Sequence, residues 1–210
     1  MQPNNNPGSQ PARSFIEEAR RAQIVDSAIE VIAEAGYNQA SMARIAGHAG
    51  ISRGLISYHF ANKADLLTEV VTKVYLDGAQ FMGPRIEAES TAGAQLSGYI
   101  AANLEYMRAN PDRMAALIEI FTRASREELA GLDNLDADAA LAPLESLFRA
   151  GQTTGEFGDF DVRTMAHAVR NVIDGVPAQM NAEGFDMDRC ITEITTLFER
   201  ATIPAADGKS

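Results

Sequence analysis

Five side chains able to donate hydrogen bonds to an oxyanion, Arg44, His48, Arg53, His59 and Lys63, lie where no carboxylate interrupts the sequence between Glu34 and Asp65. A guanidinium offers parallel N–H donors that match a phosphate or the O6 and N7 edge of guanine, serine and tyrosine hydroxyls each add a single donor, and lysine adds an ammonium with three. The chemistry such a set favours is recognition of a polyanion. The chain around it is acidic, with a formal charge of −11. From Arg13 to Tyr75 seven basic residues balance seven acidic ones, whereas residues 76 to 210 hold eleven basic and twenty-two acidic. A polyanion is therefore admitted at one segment and repelled elsewhere.

Other chemistries lack their residues. His48, His59 and His167 are scattered, Cys190 stands alone, and no glycine-rich phosphate loop or nucleophile elbow occurs. No catalytic residue, metal ligand or cofactor is expected. Nor is a disulfide, so packing of the 46% hydrophobic residues must supply stability. No apolar run reaches the roughly 20 residues of a membrane span, and MQPNNNPGSQP lacks the basic and apolar regions of a signal peptide. A cytoplasmic protein without membrane partners is expected.

The elements that must position these donors read as helices throughout. Residues 1–13, rich in Pro, Asn, Gly and Ser, predict a disordered arm. Ser14 and Glu17 have capping-box spacing, and Ile24, Val25, Ala28, Ile29 and Ile32 follow as a helical stripe stopped by Gly36. Ser41 caps a short second helix ending at Gly50, and Ser52 caps a third that turns Leu55, Ile56 and Phe60 toward the core. Asn62 and Asp65 open a fourth helix, with Leu67, Val70, Val71 and Val74 inward and Gly83–Pro84 as its end. Five more helical stripes follow and nothing alternates like a strand. The expected fold is all-α, about nine helices: 14–61 one small domain, 62–203 a larger one, and 204–210 a flexible tail.

Two short capped helices joined at Gly50 have the layout of a helix-turn-helix. Its second helix must enter a major groove, so the outer face must be thin, as Gly54 and Ser57 make it. Arg53, in the first turn, suits a guanine edge; Ser41, Tyr58, His59 and Lys63 suit phosphates, with Arg44 and Ser52 as further candidates on the same surface. His48 is assigned to a solvated face, and His59 serves equally well as a phosphate donor or as a partly buried support.

The segment SMARIAGHAGISRGLISYHFANKADLL resembles the N-terminal domain of the TetR family of bacterial transcriptional regulators, over about residues 20 to 70. The resemblance implies a homodimer joined through its last two helices, a double-stranded DNA operator as partner, and a small-molecule effector bound by the larger domain, with repression the usual sign. Many members carry tyrosine at the position of Ser57 to contact the DNA backbone, but here the aromatic falls one place later, at Tyr58. A helical ligand-binding module without DNA function is the alternative reading.

For an effector the candidates are Asn103, Met107, Phe121, His167, Arg170 and Asn171. Asn103 interrupts the stripe of Leu96, Ile100 and Met107, so it must meet either an internal polar group or a ligand. His167, Arg170, Asn171 and Asp174 share a polar side, most simply a solvated or subunit-contact face. Pro177 must kink or end the eighth helix.

Overall fold

The computed structural model describes residues 10–134, 137–180 and 182–204, and side chains within these except at 10–14 and 133–140. The described residues form nine α-helices and no strand: α1 (Gln10–Ala35), α2 (Met42–His48), α3 (Arg53–His59), α4 (Lys63–Glu87), α5 (Ala92–Ala109), α6 (Pro111–Arg123), α7 (Ala137–Thr154), α8 (Val162–Asp174) and α9 (Met187–Thr202). The all-α expectation and the helix count are met.

The chain divides into two compact units, one containing residues through Lys73 with Ala115–Leu132, the other Val74–Met114 with the residues from Asp133 onward. Helices α4 and α6 therefore each contribute to both units.

In the first unit α1 packs on α2 and α2 on α3. The stripe read from the sequence is its core: Ile24, Ala28 and Ile32 are fully enclosed, together with Ile45 from α2, Ile56 from α3, and Leu66 and Val70 from α4. The boundaries have local causes. Gly36 and Gly50 take φ of +80° and +66°, a region closed to most residues with a Cβ, and let the chain reverse after α1 and after α2. The Ser41 and Ser52 hydroxyls accept from the amides of Arg44 and Leu55, each at 3.2 Å. Asn62 Oδ1 accepts from the Asp65 amide at 2.9 Å and opens α4.

In the second unit α5 is the central helix, packed against α7, α8 and α9. Leu96, Ile100 and Leu104 of α5, Leu144 and Phe148 of α7, and Val169 and Ile173 of α8 are buried. Phe148, Phe157 and Phe160 form an edge-on cluster with centroids 5.5 to 6.4 Å apart.

Two boundaries differ from expectation. Helix α1 already runs from Gln10, four residues before Ser14, so the expected disordered arm falls mainly on residues 1–9, outside the described residues, as does most of the 204–210 tail. Helix α4 continues past Gly83 and Pro84 to Glu87. A proline removes one amide and so one intrahelical bond; one turn from the end that loss is local, and Arg85 Nη1 donates to the Phe81 carbonyl at 2.6 Å to help close the terminus. Pro177 does end a helix: α8 stops at Asp174, and Pro177 starts a short 3-10 turn through Gln179.

Candidate nucleic-acid interface

The face read from the sequence is assembled by α2, α3 and the start of α4. Arg53 is the first residue of α3; it and Arg44 are exposed and form no ion pair among the described residues. Gly54 is exposed, and a Cβ there would meet only the Ser52 hydroxyl, at 3.9 Å, so the surface beside Arg53 is thin. Ser41, Ser52, Ser57 and Tyr58 are exposed too, Tyr58 at 71%. Each serine cap holds one backbone amide while its hydroxyl hydrogen remains available.

His59 is half-buried under α1. Burial, then the charge of Arg21, pushes its pKa below the usual histidine value, so the imidazole is neutral at physiological pH and offers a single N–H. The Tyr58 ring meets it edge-on, centroids 5.1 Å apart.

Lys63 is more enclosed than a freely extended phosphate ligand. Its ammonium donates to the Tyr37 carbonyl at 2.9 Å and lies 3.5 Å from the centroid of the Tyr37 ring; burial lowers its pKa. The charge of Glu128 acts on the same ammonium and partly offsets that shift. His48, assigned to a solvated face, is exposed, and there it pairs with Glu30 at 2.6 Å and ties α2 to α1.

Several positioning residues were not legible as such. Arg21 of α1 donates from Nη1 to the His59 carbonyl at 2.6 Å, pairs through Nη2 with Glu69 of α4 at 2.7 Å, and lies over the Phe60 ring at 4.4 Å. One guanidinium thus fixes the C-terminal end of α3 between α1 and α4. Gln23 likewise donates to the Ala49 carbonyl at 2.9 Å, holding the turn after α2. Partners 38, 48 and 26 positions away leave no spacing signal. One sign was present: Arg21 lies three and four residues before Ile24 and Val25, on the core-facing line, where a charge needs a partner.

The loop entering α2 is held from α6. Glu119 Oε2 accepts the Tyr37 amide at 2.9 Å, and Glu119 pairs with Arg123 at 3.0 Å. The Tyr37 amide, followed by Arg123, holds the Glu119 carboxyl below its usual range. A carboxyl with a depressed folded-state pKa contributes stability above its unfolded value and loses it as pH falls through the folded one. Glu119→Gln keeps an acceptor for Tyr37 but has no charge to lose. Urea unfolding of the variant is therefore expected to weaken less steeply than wild type as pH drops below the carboxylate range; parallel acid limbs would refute this role.

The effector candidates divide between the two units. Phe121 belongs to the first and is 47% exposed, so it is a surface residue there. In the second, Met107 is core. Asn103 is 4% exposed, donates to the Tyr99 carbonyl at 2.7 Å and accepts from Arg170 Nη1 at 3.1 Å. Arg170 also donates to the Tyr99 hydroxyl at 3.2 Å, and its Nε donates to both oxygens of Asp174 at 2.9 Å. Arg170 is thus turned inward from the polar side that His167 and Asn171, both exposed, keep toward solvent. A small cleft of about 190 Å³ elsewhere in the unit is lined by Gly93, Leu96, Glu156, Phe157, Glu199, Thr202 and Ile203, none of them a candidate. No described helix is long and apolar enough to cross a membrane. Among the described residues no cluster could hold a metal ion.

Known proteins repeat this arrangement. The family model for bacterial regulatory proteins of the tetR family matches residues 24–70. Along nearly the whole chain the sequence is similar to the HTH-type transcriptional regulator BetI of Cronobacter sakazakii, 24% identical over 91% of this chain and 94% of that one. It is also similar to the fatty acid metabolism regulator protein of Bacillus subtilis, 29% identical over 79% of this chain and 86% of that one. Among solved structures, the fatty acid degradation regulator FadR of Bacillus halodurans superposes with a TM-score of 0.77 at 20% identity, covering 94% of this chain and 97% of its own. FadR of Bacillus subtilis, solved in complex with stearoyl-CoA, superposes at 0.74 with 25% identity, covering 84% and 96%. A capped helix-turn-helix whose own stretch of sequence is free of acid, and relatives matched over both units, carry one conclusion: residues 24–70 belong to the tetR family of bacterial regulatory proteins, and the chain as a whole is similar to its transcriptional regulators.

Proposed function

We propose that this regulator is a homodimeric repressor whose segment 14–61, with Lys63, binds a roughly palindromic operator, and whose segment 62–203 binds a small-molecule effector that releases it. The observation that carries the reading is the exposed outer face of α3. Arg53 stands beside a thin glycine surface in a stretch without carboxylates, while the remainder of the chain is strongly acidic. Arg53 addresses a base edge, and Ser41, Arg44, Ser52, Ser57, Tyr58, His59 and Lys63 address the backbone around it.

Pairing of α8 and α9 with their copies in a second subunit would set the separation of two recognition helices. Exposed Val172 on α8 and Leu197 on α9 support that choice of surface. Half-sites recur at about 34–36 Å per helical turn, so an effector that alters the separation costs one half of the contacts. The stearoyl-CoA bound by the Bacillus subtilis relative makes that molecule the first effector to try.

Titration of the protein with duplexes from its own upstream region tests the reading. Binding is expected to depend on sequence and to weaken by about a thousandfold between 50 and 200 mM salt, as follows when six or more phosphates are neutralised. Affinity indifferent to both would leave a ligand-binding module and remove the regulator.

A further inference from the structure

The outer face of α3 is free of acid within its own stretch of sequence, yet one carboxylate is delivered to it from elsewhere. Helix α1 places Glu17 beside Tyr58, whose hydroxyl donates to Glu17 Oε1 at 3.4 Å across 41 positions of sequence. Both residues are exposed, so the contact buries nothing and is not part of the core. A hydrogen bond of that length is near the outer limit for an O–H donor and is readily surrendered. The carboxylate also acts on the neighbouring His59. Arg21, the closest cation of α1 to α3, is committed to the His59 carbonyl and to Glu69 and does not neutralise Glu17 by pairing with it.

A carboxylate and a phosphodiester oxygen make the same demand of a phenol: one accepted hydrogen bond to a negatively charged oxygen. The phenol has one hydrogen, so it serves one of them at a time. We infer that Glu17 is a phosphate surrogate that occupies the Tyr58 hydroxyl in the DNA-free protein and competes with the DNA backbone for it. The inference rests on the reading of α2 and α3 as the DNA-contacting helices. Bound DNA takes the hydroxyl, and Glu17 is left as an unpaired anion close to a phosphate. The repulsion acts on the backbone, so it lowers affinity for every sequence alike and leaves the preference among sequences intact. Glu17 thus sets how long the protein dwells on DNA that is not its operator, while Arg53 sets which site it prefers.

The test is a double-mutant cycle on the full chain, read by fluorescence anisotropy with a duplex from the protein's own upstream region and an unrelated duplex of equal length. Glu17→Gln is expected to tighten binding to both duplexes by roughly three- to tenfold, because the Tyr58 hydroxyl is held less firmly and one anion near a phosphate is removed. Tyr58→Phe is expected to weaken both. In the Tyr58→Phe background the gain from Glu17→Gln should shrink to the part due to charge repulsion alone, because the contested hydroxyl is gone. An equal gain in both backgrounds means that Glu17 acts only as a distant charge and overturns the competition, as does no gain in either. Wild-type affinity blind to salt and to sequence would instead overturn the DNA reading itself, and this inference with it. Both positions are exposed and outside the core, so thermal melting of each variant near the wild-type value verifies an intact fold.

Discussion

Arg53→Ala is expected to lower operator affinity by roughly 5- to 150-fold per half-site, the equivalent of one bidentate guanine contact at about 1–3 kcal/mol, while affinity for unrelated DNA changes far less. The asymmetry follows from where the side chain sits. Arg53 opens α3, is exposed, and has no ion-pair partner among the described residues, so its removal leaves no internal group unsatisfied and the melting temperature should stay near wild type. What disappears is the distinction between one base pair and another. Lys63→Ala should behave in the opposite way. Its ammonium holds the Tyr37 carbonyl and ring, so its loss is expected to weaken all duplexes alike and also to lower the melting temperature. Competition binding with operator and scrambled duplexes separates the two outcomes. Flattened preference in Lys63→Ala, with uniform weakening in Arg53→Ala, would exchange the assigned roles.

The reading head was legible because its determinants are local. A cap acts three residues away, a glycine turn acts on its own φ, and an apolar stripe repeats within one helix, so Ser41, Gly50, Ser52 and Ile56 could be placed from sequence alone. The positioning of that head was not legible, because Arg21, Gln23, Glu30 and Glu119 act across distances in sequence that only the packed fold closes. His48 shows the limit clearly: its place at the surface could be read from the sequence, but its partner Glu30, 18 positions away on α1, could not. The end of α4 was misplaced for a different reason. Gly83–Pro84 is a strong stop signal in an unsupported helix, but the cost of one missing amide is small in the last turn. For the effector the sequence could say only that Asn103 needed a partner. It did not show that Arg170, three residues into another polar pattern, was that partner.

That pairing carries the second large effect. Arg170 joins α8 to α5: its guanidinium meets the Tyr99 hydroxyl, the Asn103 amide oxygen and the Asp174 carboxylate, and its side chain is only 19% exposed. The short bidentate pair with Asp174, aided by Tyr99, keeps the guanidinium protonated despite its burial. Removing one member of such a set strands the others, and a buried pair broken in this way costs about 3–5 kcal/mol. Asp174 is half exposed and water can serve it, so Arg170→Ala is expected to cost less, about 2–3 kcal/mol, or roughly 4–12 °C in melting temperature. Asp174→Asn, which leaves Tyr99 and Asn103 their partner, should cost under about 1 kcal/mol. This ordering distinguishes architecture from recognition. A guanidinium held to anchor an effector would be removable with little change in melting temperature and would abolish release from the operator. One that satisfies Asn103 and Tyr99 inside the unit must instead lower stability whether or not an effector is present, and the three side chains already absorb most of its donors.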